Sequence, residues 1–230
     1  MSKRFLESIF FTDRKKITDF AKVIKTLPKN SAIIIREYDL KKEEREIFAR
    51  KIAKLARARS LKILVGKDFG LAKKIKADGV HFSDRDRLPL QFFKKKSFPK
   101  NFLFSFSCHS AKAFLRARKF RPDMVFLSPV FATTSHPETK FLRHSSASSD
   151  GMGINEDLRQ SLFGLRNFAK IAVQNKNSLS IYALGGINSQ NLKILTKLKI
   201  KGFGAIDYFY ENHTGNSLWR FGNKAMAGFP

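Results

Sequence analysis

The stretch Ala32–Gly66, AIIIREYDLKKEEREIFARKIAKLARARSLKILVG, contains a complete strand–helix–strand pattern. Its two ends, Ala32–Arg36 and Ile63–Gly66, are short and mostly apolar runs, as expected for strands that are covered on both faces. The segment between them, Lys41–Arg59, has a helical period with charged residues on one face. Its predicted apolar face consists of Ile47, Ile52, Leu55 and Ala56. The pattern predicts two parallel strands that are connected by an amphipathic helix.

The same alternation continues along nearly the whole chain. The other six predicted strands are Ile9–Thr12, Gly79–Phe82, Phe102–Ser107, Met124–Ser128, Ser180–Leu184 and Phe203–Ile206. Eight strands that alternate with helices predict an α/β fold with a parallel sheet, and the number favours a closed TIM (β/α)8 barrel. A doubly wound open sheet is the alternative, but the GxGxxG turn of dinucleotide-binding sheets is missing after the first strand.

The length of 230 residues suits one domain of this kind. We expect the barrel to occupy residues 1–212, and residues 213–230 to form a tail that either caps the barrel or is partly disordered. The polar, Ser-rich stretch His136–Gly153 interrupts the alternation. At about 18 residues it exceeds most connections, which favours a functional or disordered loop.

The composition predicts a cytoplasmic protein. No apolar run approaches the ~20 residues that cross a bilayer, and the basic N-terminus lacks an apolar segment of signal-peptide length. The single cysteine, Cys108, excludes a disulfide framework and fits a reducing compartment. The sequence leaves both a monomer and a homo-oligomer open.

The net charge of +26 would attract polyanions, including nucleic acid and phosphorylated small molecules. The basic residues are nevertheless spread over the chain, with only short runs such as Arg14–Lys16 and Lys94–Lys96. Because no aromatic nucleic-acid motif accompanies them, we interpret the charge as a solvated basic surface and do not expect a dedicated nucleic-acid site.

Polar residues follow several predicted strands, at the end of a barrel where reactive groups belong. Arg36 and Lys67 follow the second and third strands and could bind an anion. Asp84 or Asp86, after the fourth strand, could bind a hard cation such as Mg²⁺. Backbone amides of Gly185 and Gly186, which precede a helix, could meet a phosphate, although a plain tight turn fits equally well.

Three further polar groups are weaker candidates. His81 lies inside an apolar strand, and we interpret it as a core residue with satisfied hydrogen bonds rather than a base. Cys108 and His109 are neighbours on one strand and should face opposite ways, so they do not predict a catalytic dyad. The hydroxyl cluster Thr133–His136 either binds phosphate oxygens or forms an ordinary turn.

Seven motifs in order resemble the thiamine phosphate synthase and thiazole tautomerase (TenI) superfamily, from about Ile9 to Tyr208. They are IFFTD (9–13), IIIRE (33–37), LAKKIKADGVHFSDRD (71–86), SFSCHS (105–110), FLSPVFATTSHP (126–137), YALGGIN (182–188) and GFGAID (202–207). The resemblance implies a TIM barrel and a role in thiamine biosynthesis. The family's synthase joins hydroxymethylpyrimidine diphosphate to thiazole phosphate and releases diphosphate with the help of Mg²⁺.

On the diphosphate side, the resemblance places Arg36 at the family's diphosphate-binding arginine and Asp86 at its second metal-binding aspartate. The departures are Ile34 for a glutamine, Tyr38 for a lysine and Gly66–Lys67 for a metal-binding Asn-Asp pair. Lys67 puts a cation where a metal would lie and could partly substitute for Mg²⁺. We expect catalytic roles for Arg36 and Lys67.

For the two phosphorylated substrates, the resemblance implies six binding positions, and the hydroxyls of Thr133 and Ser135 are those that would meet a diphosphate. They are Thr133, Ser135 and His136 in place of the family's T-x-T-K motif, Gly185 and Gly186 at its thiazole-phosphate turn, and Asp207 where a serine is usual. We expect a carboxylate at position 207 to repel a phosphate.

Three hypotheses follow. The first is thiamine phosphate synthesis with an incomplete or altered metal site, and the second is a diverged member that binds or acts on another phosphorylated heterocycle. The third is a basic polyanion-binding protein that uses the barrel as a scaffold. Thiazole tautomerisation itself is not supported, because Pro129 stands where that subgroup carries a catalytic histidine.

Overall fold

The computed structural model describes residues 7–86, 88, 99, 101–131, 170–171, 179–195, 198 and 200–211. Within these ranges eight parallel strands form a closed barrel in chain order, with β8 paired to β1. The strands are β1 (Ser8–Phe11), β2 (Ser31–Ile35), β3 (Lys62–Gly66), β4 (Gly79–Ser83), β5 (Leu103–Cys108), β6 (Met124–Leu127), β7 (Ile181–Leu184) and β8 (Gly202–Ala205). The predicted TIM barrel is therefore confirmed.

The described helices follow the strands as the alternation predicts. They are α1 (Phe20–Thr26), α2 (Lys42–Ala58), α3 (Phe69–Lys74), α4 (Ala111–Arg118), α5 (Leu192–Leu195) and α6 (Asp207–Glu211). In the described part of the chain, no helix combines the length and the apolar character that crossing a membrane requires. The predicted boundary between residues 212 and 213 lies outside the described residues and stays a prediction, as does the tail.

Two apolar layers hold the barrel together. Alternate residues of the strands point inward, where the side chains of Phe11, Ile34, Phe126 and Tyr182 are almost completely buried. The intervening residues, such as Phe10, pack against the helices in a larger outer layer. Burial on both faces explains why the strands are nearly continuous apolar runs.

The buried face of α2 differs from the predicted one. Ile52 is buried and Leu55 packs against the core, but Ile47 is 71% exposed. The residues of α2 that are buried are Arg45, Ala49, Ile52, Ala53 and Ala56. Small alanines on this stripe let the helix approach the sheet closely, so the prediction for Ile47 was wrong.

Candidate active site

Arg36 lies just beyond β2, at the carboxyl end of the barrel. Its Nε donates to the Thr12 carbonyl at 2.9 Å, and its Nη2 lies 3.4 Å from Asp13 Oδ2. The remaining guanidinium N–H donors meet no acceptor among the described residues. The side chain is therefore fixed by two contacts and keeps donors for an anionic ligand.

A buried carboxylate beside Arg36 ties two strand ends together. Glu37 Oε2 accepts hydrogen bonds from Thr12 Oγ1 at 2.6 Å and from the Arg36 amide at 3.1 Å. Its Oε1 accepts from the Arg14 amide at 3.2 Å. Burial raises the pKa of the Glu37 carboxyl, although these donors oppose the rise. Glu37 thus orders the loops after β1 and β2.

Lys67 lies just beyond β3 and forms an ion pair with Asp86, which follows β4. Lys67 Nζ is 2.6 Å from Asp86 Oδ1, and Asp86 Oδ2 accepts from the Ser83 amide at 2.7 Å. The same ammonium lies 4.6 Å from the centre of the Tyr38 ring, within the range of a cation–π contact. The structure therefore brings Lys67 and Asp86 together, in direct contact with each other.

Arg45 of α2 joins the carboxyl ends of β2 and β3. Its Nε donates to the Arg36 carbonyl at 3.0 Å and its Nη2 to the Gly66 carbonyl at 2.7 Å. It also lies 3.6 Å from Asp68 and stacks on Tyr38. Sequence reasoning missed this residue. The available signal was an arginine that shares the buried stripe of α2 with Ala49 and Ile52.

Asp86 does not have the free carboxylate oxygens that a magnesium ligand needs, as far as the described residues show. One oxygen binds the Lys67 ammonium and the other accepts the Ser83 amide, so an ion would have to displace a cation that already neutralises the carboxylate. Within the described ranges, no three His, Cys, Asp or Glu side chains converge as a metal site. Mg²⁺ binding at Asp86 stays a prediction, and the contacts of Asp86 do not fit it.

On the opposite side of the barrel, a turn of two glycines follows β7. Gly185 and Gly186 have φ values of 92° and 65°, which favour glycine. A Cβ at Gly185 would lie 3.0 Å from Pro129 Cα. The turn is fixed further because Asn191 Nδ2 donates to the Gly186 carbonyl at 2.7 Å. The turn is thus pre-formed, while its phosphate-binding role stays a prediction.

Asp207, just beyond β8, forms a two-oxygen contact with Lys16. Lys16 Nζ donates to its two carboxylate oxygens at 2.8 and 3.0 Å. The Asp207 carboxylate was expected to repel a phosphate. The structure shows that the Lys16 ammonium partly neutralises it, which the sequence did not predict. Lys16 is a second residue that sequence reasoning missed, because it is 191 positions away from Asp207 in the chain.

This pair gives a test of the charge at the end of β8. We expect Asp207→Asn to tighten binding of inorganic phosphate about two- to fivefold, because it removes a half-exposed negative charge. Isothermal titration calorimetry measures the change. The matched control is Asp78→Asn, which removes an Asp–Lys pair at the other end of the barrel. Unchanged or weaker phosphate binding in Asp207→Asn contradicts the assignment of this end to a phosphate.

His81 is a core residue, as predicted. Its Nδ1 and Nε2 lie 2.9 Å from Ser105 Oγ and 3.1 Å from Ser107 Oγ. Edge-on contacts with Phe11 and Phe126 enclose the ring. Burial lowers the pKa of His81 to about 3, so the ring is neutral near pH 7.

Cys108 and His109 do not form a dyad. The thiol is 2% exposed, and burial raises its pKa to about 12, which disfavours a thiolate. His109 turns instead to Asp84, with Nδ1 2.7 Å from Oδ1. Partial burial would raise the pKa of Asp84, but the hydrogen bonds from His109 outweigh it and lower the pKa.

Three of the predicted substrate-binding residues, Thr133, Ser135 and His136, lie outside the described residues. The same is true of the whole Ser-rich stretch at 136–153. Of the predicted site, the structure therefore describes Arg36, Lys67 and Asp86 on one side of the rim. On the other side it describes Gly185, Gly186 and Asp207.

The fold and this rim define an eight-stranded TIM-barrel protein with charged side chains at the carboxyl ends of β1 to β4 and a glycine turn after β7. A family model described as thiamine monophosphate synthase matches residues 9–149, and the chain belongs to that family.

Several known proteins are similar to this chain. A protein of Aquifex aeolicus (strain VF5), provisionally named thiamine-phosphate synthase 2, is 29% identical over 203 residues, which cover 87% of this chain and 95% of that protein. The thiamine-phosphate synthase of Pelagibacter ubique (strain HTCC1062) is 29% identical over 177 residues, covering 75% and 73%. The solved thiamine phosphate pyrophosphorylase of Pyrococcus furiosus superposes with a TM-score of 0.66 at 20% identity, covering 90% and 88%, and shares the fold.

Proposed function

We propose that this chain is a thiamine phosphate synthase, which joins hydroxymethylpyrimidine diphosphate to thiazole phosphate and releases diphosphate. Membership of the family and the names of the relatives support the reaction class. The structural observation that carries the proposal is the position of two cations, Arg36 and Lys67, directly beyond the neighbouring strands β2 and β3. Cations fixed at one edge suit a leaving group with several negative charges.

The proposed reaction balances without a redox partner. The bond between the pyrimidine methylene carbon and the diphosphate oxygen breaks, and its electron pair leaves with the diphosphate. The thiazole nitrogen then donates its lone pair to the methylene carbon, which forms the new C–N bond. Arg36 and Lys67 stabilise the charge that develops on the diphosphate, because their positions are fixed before the reaction starts.

The thiazole phosphate is assigned to the other side of the rim. The pre-formed turn at Gly185 and Gly186 supports a phosphate that is bound by backbone amides. Asp207 is included in the site as the carboxylate whose charge Lys16 balances. Thr133, Ser135 and His136 are kept as proposed diphosphate contacts on the strength of the family resemblance alone.

We also propose the binding partners and the cellular location. The partners are phosphorylated small molecules rather than nucleic acid, and the location is the cytoplasm. The single cysteine, which is buried, supports a reducing compartment. Diphosphate binding measured in EDTA and in Mg²⁺ tests whether Mg²⁺ takes part.

The test is a turnover assay with both phosphorylated precursors. We expect thiamine phosphate and diphosphate to form in equal amounts, measured by liquid chromatography with mass spectrometry. The matched control omits thiazole phosphate, which should prevent thiamine phosphate formation. Absence of product from a folded protein, with and without Mg²⁺, contradicts the proposal.

A second candidate function is binding of, or action on, a different phosphorylated heterocycle. The observation that favours it is Tyr38, whose ring covers Gly66 and contacts the Lys67 ammonium, and so changes the shape of the rim. A thermal-shift screen separates the two. Stabilisation by another phosphorylated heterocycle, but by neither thiamine precursor, favours this candidate.

A further inference from the structure

The ion pair of Lys67 and Asp86 is asymmetric in its exposure. The Asp86 side chain is 9% exposed and uses both oxygens within the protein, whereas the Lys67 side chain is 44% exposed. An ammonium has three N–H donors, and Asp86 is its one ion-pair partner among the described residues. The pair therefore presents a cation, backed by a buried carboxylate, to the space above the barrel.

The backbone of Lys67 is held in an unusual conformation. Its φ is 63°, in the left-handed region that non-glycine residues seldom adopt. The Lys67 amide donates to the His81 carbonyl at 2.9 Å, which anchors the residue to β4. A strained conformation of this kind persists only where the surroundings determine it. The direction of the Lys67 side chain is thus set by the backbone as well as by Asp86.

Tyr38 and Gly66 complete the support for the ammonium. A Cβ on Gly66 would lie 2.3 Å from Tyr38 Oη, so any larger residue there would force the tyrosine ring to move. Arg45 holds the same ring from another side, with its Cζ 5.3 Å from the ring centre. Tyr38, Gly66 and Lys67 pack together, and this packing holds the exposed Lys67 ammonium in a fixed position.

The net charge of the Lys67–Asp86 ion pair equals that of a simple metal site. Lys67 and Asp86 sum to zero, as does a divalent cation between two carboxylates. In both cases a localised positive charge faces the ligand and negative charge lies behind it. An ammonium binds phosphate oxygens as a point charge with hydrogen bonds, whereas a metal binds them by coordination.

We propose that the Lys67 ammonium supplies the positive charge that a divalent metal would otherwise supply, so that the chain binds a diphosphate group without Mg²⁺. Only the choice of diphosphate as the ligand rests on the proposed function. Arg36, beyond the neighbouring strand, supplies the second cation of this metal-free anion site.

The experiment measures binding of inorganic diphosphate by isothermal titration calorimetry, in excess EDTA and in excess Mg²⁺. We expect the wild-type chain to bind diphosphate in EDTA. Lys67→Asn should weaken this binding by about tenfold or more, because one charge-assisted contact is lost. Asparagine tolerates the left-handed backbone, so the fold should be kept, and thermal unfolding checks this.

Two further variants sharpen the test. Lys67→Asp places a second carboxylate beside Asp86, and its diphosphate binding should require Mg²⁺. Lys62→Asn is the matched control, because Lys62 begins the same strand and forms an equally short 2.6 Å pair with Asp78. We expect its diphosphate affinity in EDTA to match the wild type within about twofold.

The outcomes separate this inference from the proposed reaction. Wild-type binding that appears only with Mg²⁺, or equal affinities of wild type and Lys67→Asn in EDTA, overturns the inference. Diphosphate binding in EDTA that depends on Lys67, without any turnover of the two precursors, supports the inference while it contradicts the synthase reaction. Turnover of the two precursors, together with diphosphate binding that appears only in Mg²⁺, supports the synthase reaction and overturns the inference.

Discussion

Replacing Arg36 with alanine is expected to lower kcat/KM for thiamine phosphate formation by about 10²–10³-fold. The guanidinium is fixed by the Thr12 carbonyl and Asp13, and in the proposed reaction its remaining donors meet the charge that develops on the leaving diphosphate. A preformed donor of this kind stabilises the transition state more than the bound substrate. Steady-state kinetics with both precursors measure the effect.

Two companion variants make this prediction specific. Arg36→Lys keeps the charge but loses the planar fork, and it should retain an intermediate kcat/KM. Arg50→Ala removes an exposed arginine that pairs with Glu46 on the surface of α2, and it should leave kcat/KM within about twofold. An Arg36→Ala variant that keeps kcat/KM near the wild-type value contradicts the assignment of Arg36 to the diphosphate.

The second large effect is expected at Arg45. Arg45→Met should lower the free energy of unfolding by about 2–4 kcal/mol, because two carbonyl groups lose their charged donor at a nearly buried position. Asp68 loses its nearby positive charge in the same variant. Urea denaturation followed by circular dichroism measures the change.

Arg45→Met should also impair the candidate active site while the protein stays folded. Arg45 holds the carbonyls of Arg36 and Gly66, so the two cations of the rim become less well placed. We expect kcat/KM to fall at temperatures where the variant is still folded. Arg50→Met, on the exposed face of the same helix, is the control and should change stability by less than about 0.5 kcal/mol. An equally small effect of Arg45→Met would show that this network does not support the rim.

The fold could be predicted because its main signal is local. Each strand is a short apolar run that is buried on both faces, as Ala32 to Ile35 illustrates, and the alternation with helices then limits the sheet to parallel topologies. The face of α2 was harder to predict. Ile47 fits an apolar helical pattern but points to solvent, whereas a charged residue, Arg45, takes a buried position. Hydrophobicity alone cannot predict which charge is buried, because burial depends on acceptors supplied by other strands.

The site was predictable in position but not in its pairings. Arg36, Lys67, Asp86 and Asp207 could be located because they follow strands, and parallel strands of a barrel end at one rim. The contact of Lys67 with Asp86, and that of Lys16 with Asp207, depend on side-chain geometry between distant parts of the chain. Sequence spacing contains no such information.

The proposed synthase binds a diphosphate at the carboxyl ends of β2 and β3. A crystal structure of the chain with inorganic diphosphate tests this binding site. We expect diphosphate oxygens within hydrogen-bonding distance of the Arg36 Nη atoms and of Lys67 Nζ. Diphosphate bound instead at the basic outer surface of α4, where Lys112, Arg116, Lys119 and Arg121 line a groove, with an empty rim, would contradict it.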